Sequence, residues 1–166
     1  MILKEKILFN QTECNSIIEY VTLDYTNWKM SDREYSSKSI HYSIETKWLF
    51  DKLKTFFQLE TGLKIIKTKE EIHFHKFVNG NWFDKHNDIR DSRMYAIGVL
   101  LNDEFEGGDF KLYNSNEITL NKKIGNSYIF DVRILHEITP IVEGTRYSLL
   151  WFLHSQNIKN ITNTLI

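Results

Sequence analysis

The chain has 166 residues, 42% of them hydrophobic and 14% aromatic, a composition that builds a packed core and excludes a disordered chain. Basic and acidic residues nearly balance, 21 against 22, so the net charge of −1 supplies no global field to attract nucleic acid or an anionic membrane. Cys14 is the only cysteine, which excludes an intramolecular disulfide and a cysteine-based zinc site.

The N-terminal run MILKEKILFNQTEC is too short in apolar residues and too charged for a signal peptide. No stretch approaches the roughly 18 apolar residues of a membrane span, so the expectation is a soluble, cytoplasmic protein with no membrane partner. A first helix is expected from Asn10 to Tyr20, where Cys14, Ile17, Ile18 and Val21 fall near one face and Asn10 or Thr12 offers an N-cap. The polar segment Trp28 to Tyr42 reads equally as a substrate-facing loop and as an exposed linker. A second helix is expected from Ser43 to Leu59, with Trp48, Leu49, Leu53, Phe56 and Phe57 at helical spacing and Gly62 as its stop. Both stripes read as core packed on a sheet.

Beyond residue 62 the texture changes. Short apolar and β-branched runs (LKIIK, EEIHFHKF, MYAIGVLL, DFKLY, NSYIF, HEITPIV, RYSLLWFL) alternate with turn chemistry such as VNGN and EGG. Gly107-Gly108 marks a tight turn or bulge, and the single proline, Pro140, a strand edge or bend. The expected fold is mainly β with flanking N-terminal helices: one domain over 1–166, with 1–62 as helical support and 63–156 as a jelly-roll, cupin-like core.

The stretch FDKHNDIR places His86 and Asp88 two residues apart. Alone, this spacing fits a polar turn as well as a metal pair. A non-haem iron(II) site needs two histidines and one carboxylate on one side, leaving the other open. His136, which opens HEITPI after NSYIF and VRIL, is the best second histidine. Arg146 follows ten residues later inside the apolar run EGTRYSLLWF. Burying a guanidinium without a partner is expensive, and a dianionic co-substrate would supply one through a two-pronged fork. Ser148 lies two residues on, on the same side of a strand, and could add a hydroxyl donor.

The ordered pattern resembles the iron(II)/2-oxoglutarate dioxygenase superfamily, and within it the prolyl-4-hydroxylase-like branch and its PKHD-type hydroxylases. It is carried by His86-Asn87-Asp88, Arg93, Leu101-Asn102-Asp103, Gly107-Gly108-Asp109-Phe110, Gly125 and the run from His136 to Arg146. The resemblance spans about residues 72 to 156. It implies a double-stranded β-helix, with His86, Asp88 and His136 as iron(II) ligands and Arg146 on the distal carboxylate of 2-oxoglutarate. It further implies O₂ as oxidant, ascorbate as a candidate reductant, and hydroxylation of a C–H bond in an amino acid residue, a free amino acid or a small metabolite, with release of succinate and CO₂. Asp88 argues against halogenation, because halogenases of the superfamily lack that carboxylate.

The sequence departs from the branch where a tyrosine often precedes the first ligand by about nine residues. Phe77 stands there without a hydroxyl, leaving Ser148, Tyr95 or His75 as substitutes. Phe152 rather than Trp151 is six residues after Arg146 and becomes the expected pocket wall. Nucleic-acid alkyl-lesion demethylases of the superfamily carry a second arginine at that position, so Phe152 disfavours this alternative and a nucleic-acid partner. His73 and His75 form a rival H-x-H metal pair, and a non-catalytic jelly-roll metal-binding module is the other alternative. His41 and His154 read as structural or surface residues. Oligomeric state is not encoded legibly.

Overall fold

The computed structural model describes residues 3–24, 26, 28–30, 35–66 and 71–160. In chain order the elements are β1 (Leu3–Ile7), α1 (Gln11–Thr22), β2 (Lys29–Met30), β3 (Ser36–Ile40), α2 (Lys47–Thr61), β4 (Leu63–Ile65) and β5 (Ile72–Val78). They continue with β6 (Phe83–His86), β7 (Arg93–Leu100), β8 (Phe105–Gly107), β9 (Phe110–Asn114), β10 (Asn116–Thr119) and β11 (Asn126–Asp131). The last are β12 (Leu135–Ile138), β13 (Ile141–His154) and β14 (Ile158–Asn160).

Both helices start and stop for local chemical reasons. Asn10 caps α1: its side-chain oxygen accepts from the Glu13 N–H and the Glu13 carboxylate accepts from the Asn10 N–H, each at 2.9 Å. This reciprocal box satisfies two donors that the first helical turn leaves orphaned. Helix α2 begins at Lys47, four residues later than the sequence suggests, and ends at Gly62, whose φ of 71° is a left-handed cap. Trp48 departs from the expected stripe and is 40% exposed, while Phe50 takes a place in the core instead. Neither helix, among the described residues, is long and apolar enough to cross a membrane.

The larger sheet runs β1-β11-β7-β13-β5-β3-β2, with β8 attached to the first part of β13. The smaller sheet runs β10-β9-β12-β6. Strand β13 is the spine of the larger sheet, pairing antiparallel with both β5 and β7. Its side chains alternate between two cores, as pleating requires. Leu149, Trp151 and Leu153 join Leu53, Phe56 and Phe57 of α2 in a core beneath the helices. Phe152 joins Phe77, Ala96, Leu100, Tyr128 and Phe130 of the same sheet, and Phe110, Leu112 and Ile138 of the smaller one, in a second core between the sheets. Two antiparallel sheets closed over a shared interior, with helices outside, form the expected jelly roll.

The first 62 residues are more than helical support. Strand β1 pairs with β11, and β3 pairs with β5 to extend the larger sheet. The sequence LKEKI conceals β1, because an edge strand accepts charged side chains on its solvated face. For the segment Trp28 to Tyr42, β2 and β3 form a hairpin extension of the sheet, and residues 31–34 lie outside the described residues.

Candidate metal and co-substrate site

His86 is the last residue of β6 and His136 lies in β12. The register pairs them directly, bringing their ring centroids to 4.3 Å. Asp88 follows the end of β6 and is anchored by its N–H, which donates to the Val132 carbonyl at 2.9 Å. One ligand atom from each of His86, Asp88 and His136 lies within 4.8 Å of the others. His86 Nε2 is 3.6 Å from Asp88 Oδ1, and His136 Nε2 is 3.2 Å from Asp88 Oδ2.

The backbone sets the histidine tautomers. His86 Nδ1 meets the Asp84 carbonyl at 2.6 Å, and His136 Nδ1 meets the Ile134 carbonyl at 2.9 Å. A carbonyl only accepts, so each Nδ1 carries a proton and each ring turns its Nε2 toward Asp88. An unprotonated Nε2 and a carboxylate oxygen this close can share a cation placed between them. Asp88 Oδ2 is buried and receives no hydrogen bond among the described residues. Burial alone would raise the Asp88 pKa, but its interactions with His136 and His86 outweigh this and hold the carboxyl well below the usual range. Two nitrogens and one carboxylate oxygen, converging from one side with backbone-fixed rings, suit a divalent metal.

Arg146 lies on the same inner face, 2% exposed. Its Nη1 donates to Ser148 Oγ at 2.7 Å, and its Nε has no partner. Among the described residues no carboxylate comes within ion-pair distance of it. Phe77, its direct partner across β5, sets a ring 5.6 Å from the guanidinium carbon. Burial lowers the guanidinium pKa, against the opposing pull of Tyr128 and Asp109. A buried, underpartnered guanidinium on the same interior as a metal-type cluster suits an anion.

The family model for the 2OG-Fe(II) oxygenase superfamily matches residues 72–154. The chain belongs to this superfamily. No curated protein matches it in sequence. Among solved structures, it is similar to a Pseudomonas putida prolyl-4-hydroxylase, with a TM-score of 0.73 and 17% identity over 92% of each chain. A prolyl hydroxylase of Trichoplax adhaerens, solved with a hypoxia-inducible-factor oxygen-degradation-domain peptide fragment, gives a TM-score of 0.75 at 15% identity. That likeness covers 99% of this chain and 87% of the other. An oxidoreductase of the 2OG-Fe(II) oxygenase family from Burkholderia pseudomallei gives 0.74 at 13% identity, covering 95% and 86%. These likenesses establish the prolyl-hydroxylase-like fold.

Within this oxygenase fold the remaining sequence-selected residues divide by strand face. Ser148 and Phe77 adjoin Arg146. Phe152 also lies on the inner face, whereas Trp151 points beneath the helices. Tyr95 is a correction: it packs against Phe57 of α2 at 5.6 Å between ring centroids, on the helix side of β7, and cannot supply a hydroxyl to the interior. Pleating explains this placement: Tyr95, Ile97 and Val99 share the helix-facing side of β7, opposite Ala96 and Leu100.

His75 faces inward. It pairs with Ser148 across the strands, and burial first, then the charges of His73 and Arg146, push its pKa down to about 3 despite the opposing pull of Asp88. It lines the site as a neutral ring. The rival His73–His75 pair does not gather a carboxylate: the one metal-type group among the described residues is His86, Asp88 and His136. Glu137 points away and accepts a hydrogen bond from the Tyr113 hydroxyl. His41 is a surface residue beside Glu71, and His154 meets Ser92 Oγ at 2.9 Å. Tyr128 is the inward residue that sequence reasoning passed over, because NSYIF reads as an ordinary strand.

Proposed function

We propose that the protein is an iron(II)- and 2-oxoglutarate-dependent dioxygenase that hydroxylates a C–H bond of a peptidyl or free amino acid or a small metabolite. His86, Asp88 and His136 hold the iron, and Arg146 holds the distal carboxylate of 2-oxoglutarate. The observation that carries the reading is the pairing of two features in one interior: histidines whose Nε2 atoms converge on a buried carboxylate, and a buried arginine without a carboxylate partner. Bound iron(II) and 2-oxoglutarate supply the oxidation, in which one atom of O₂ enters the substrate hydroxyl and the other enters succinate as CO₂ leaves.

The chain's own residues prepare that chemistry. The carbonyls of Asp84 and Ile134 fix the two imidazoles and strengthen them as ligands. Phe110 and Phe130 pack against the His136 ring and exclude water from that side. Arg146, held by Ser148, orients a dicarboxylate with one end toward the histidines. His75, neutral, lines the interior without adding a competing charge. The similarity of fold to prolyl hydroxylases supports peptidyl proline as the first substrate class to test.

The test is incubation with iron(II), 2-oxoglutarate and O₂ against proline-containing peptides, free amino acids and small metabolites, read by mass spectrometry. A product heavier by one oxygen atom, dependent on 2-oxoglutarate, is expected. Metal binding without 2-oxoglutarate binding would instead identify a non-catalytic module.

A further inference from the structure

The co-substrate site holds an unused donor. Tyr128 in β11 is 4% exposed, with its ring inside the core between the sheets. The register sets it opposite Gly98 of β7. Gly98 has nothing above its Cα, and the Tyr128 ring occupies that space. A Cβ built on Gly98 would meet Cε2 and Cζ of Tyr128 at 2.2 Å and its hydroxyl at 2.5 Å. The phenol therefore crosses β7 toward β13, the strand that carries Arg146. Phe110 stacks on it at 5.0 Å and 28°, fixing the ring from the other side.

The phenol of Tyr128 lies beside the Arg146 guanidinium, and both residues line one narrow cleft with Leu100, Gly108 and Asp109. A guanidinium only donates. Toward Arg146 the phenol oxygen can only accept, so its own proton is free for a second acceptor. Burial raises the phenol's pKa despite the opposing pull of Arg146, so the proton stays on the oxygen. The cross-strand neighbours offer no equivalent hydroxyl: Phe77, opposite Arg146, and Leu100, opposite Ser148, are apolar, and the other partner of Ser148 is the His75 ring.

We propose that Tyr128 donates its hydroxyl hydrogen bond to the distal carboxylate of the 2-oxo diacid held by Arg146, with Gly98 as the positioning residue that lets the phenol reach it. The proposal rests on the oxygenase reading above and deepens it. It assigns the hydroxyl missing at Phe77 to a different strand. Selection of a five-carbon 2-oxo diacid over a 2-oxo monoacid then depends on Tyr128 as well as Arg146.

The experiment is anaerobic titration calorimetry of the iron(II)-loaded protein with 2-oxoglutarate and with 2-oxobutanoate, which lacks the distal carboxylate. Tyr128→Phe keeps the ring and its packing. It is expected to weaken 2-oxoglutarate binding by roughly 10- to 100-fold, as for loss of a hydrogen bond to a charged group. Its 2-oxobutanoate binding is expected to stay within about twofold of wild type, a selectivity that general damage to the core would not produce. Gly98→Ala, which displaces the phenol by another route, is expected to lose the same selectivity. Tyr128→Phe binding 2-oxoglutarate as tightly as wild type, or losing both ligands equally, overturns the proposal and leaves the oxygenase reading intact. A wild type that binds iron(II) but no 2-oxoglutarate overturns both.

Discussion

Replacing Arg146 by methionine separates a functional guanidinium from a structural one. The side chain is fully buried, its Nε has no partner, and its one short side-chain hydrogen bond is to Ser148. Losing that bond costs about 1 kcal/mol. Removing a buried charge in favour of an apolar chain of similar volume commonly returns about 1–4 kcal/mol. The ligand-free variant is therefore expected to gain on the order of 0–3 kcal/mol, a Tm between that of the wild type and roughly 12 °C above it for a chain of this size. The ligand response should reverse. With 2-oxoglutarate at about 100 times its Kd, the wild type gains about 2.7 kcal/mol, and Arg146→Met gains nothing. Thermal unfolding with iron(II), with and without 2-oxoglutarate, reads both effects. A ligand-free variant that loses about 3 kcal/mol or more, or one that keeps the 2-oxoglutarate-dependent shift, would refute the anion-receptor argument.

Asp88→Ala should abolish tight iron(II) binding, measured by calorimetry, while the far-ultraviolet circular dichroism stays that of the wild type. His75 makes the fold acid-sensitive: between pH 6.5 and about 3 the unfolded chain takes up a proton there that the native chain does not, so stability falls as pH drops below 6.5. Urea unfolding at pH 7.5 and 5 should show His75→Gln losing about 2 kcal/mol less than wild type over that interval; equal losses would remove His75 as the cause. Gly125→Ala combines a φ of 78° with a Cβ only 1.8 Å from the Phe9 carbonyl oxygen, and should cost more than about 3 kcal/mol in the same assay.

Which residues the sequence disclosed follows from how local their signals are. His86 and Asp88 are two apart in the chain. Arg146 betrays itself because a charge inside an apolar strand needs a reason. Helix α1 carries its cap in its own first turn. The signals that stayed hidden depend on register between distant strands. Tyr95 and Tyr128 both sit in apolar runs, and only the pairing of β7 with β11 and β13 shows which turns toward the interior. The Tyr128 ring has room to cross β7 because Gly98 stands opposite it, 30 residues earlier in the chain. Strand β1 escaped because LKEKI lacks a clean alternation of apolar and polar residues, and its place is set by β11, more than 100 residues away. Trp48 misled because helical spacing identifies a stripe without fixing its edges.

Formation of succinate from 2-oxoglutarate with iron(II) and O₂, in the presence of a substrate found in the screen above, tests the central claim most directly. The wild type should release about one succinate for each substrate hydroxylated, and Asp88→Ala should release none. Equal succinate from the two proteins, or none from a wild type that binds both iron(II) and 2-oxoglutarate, would contradict the assignment.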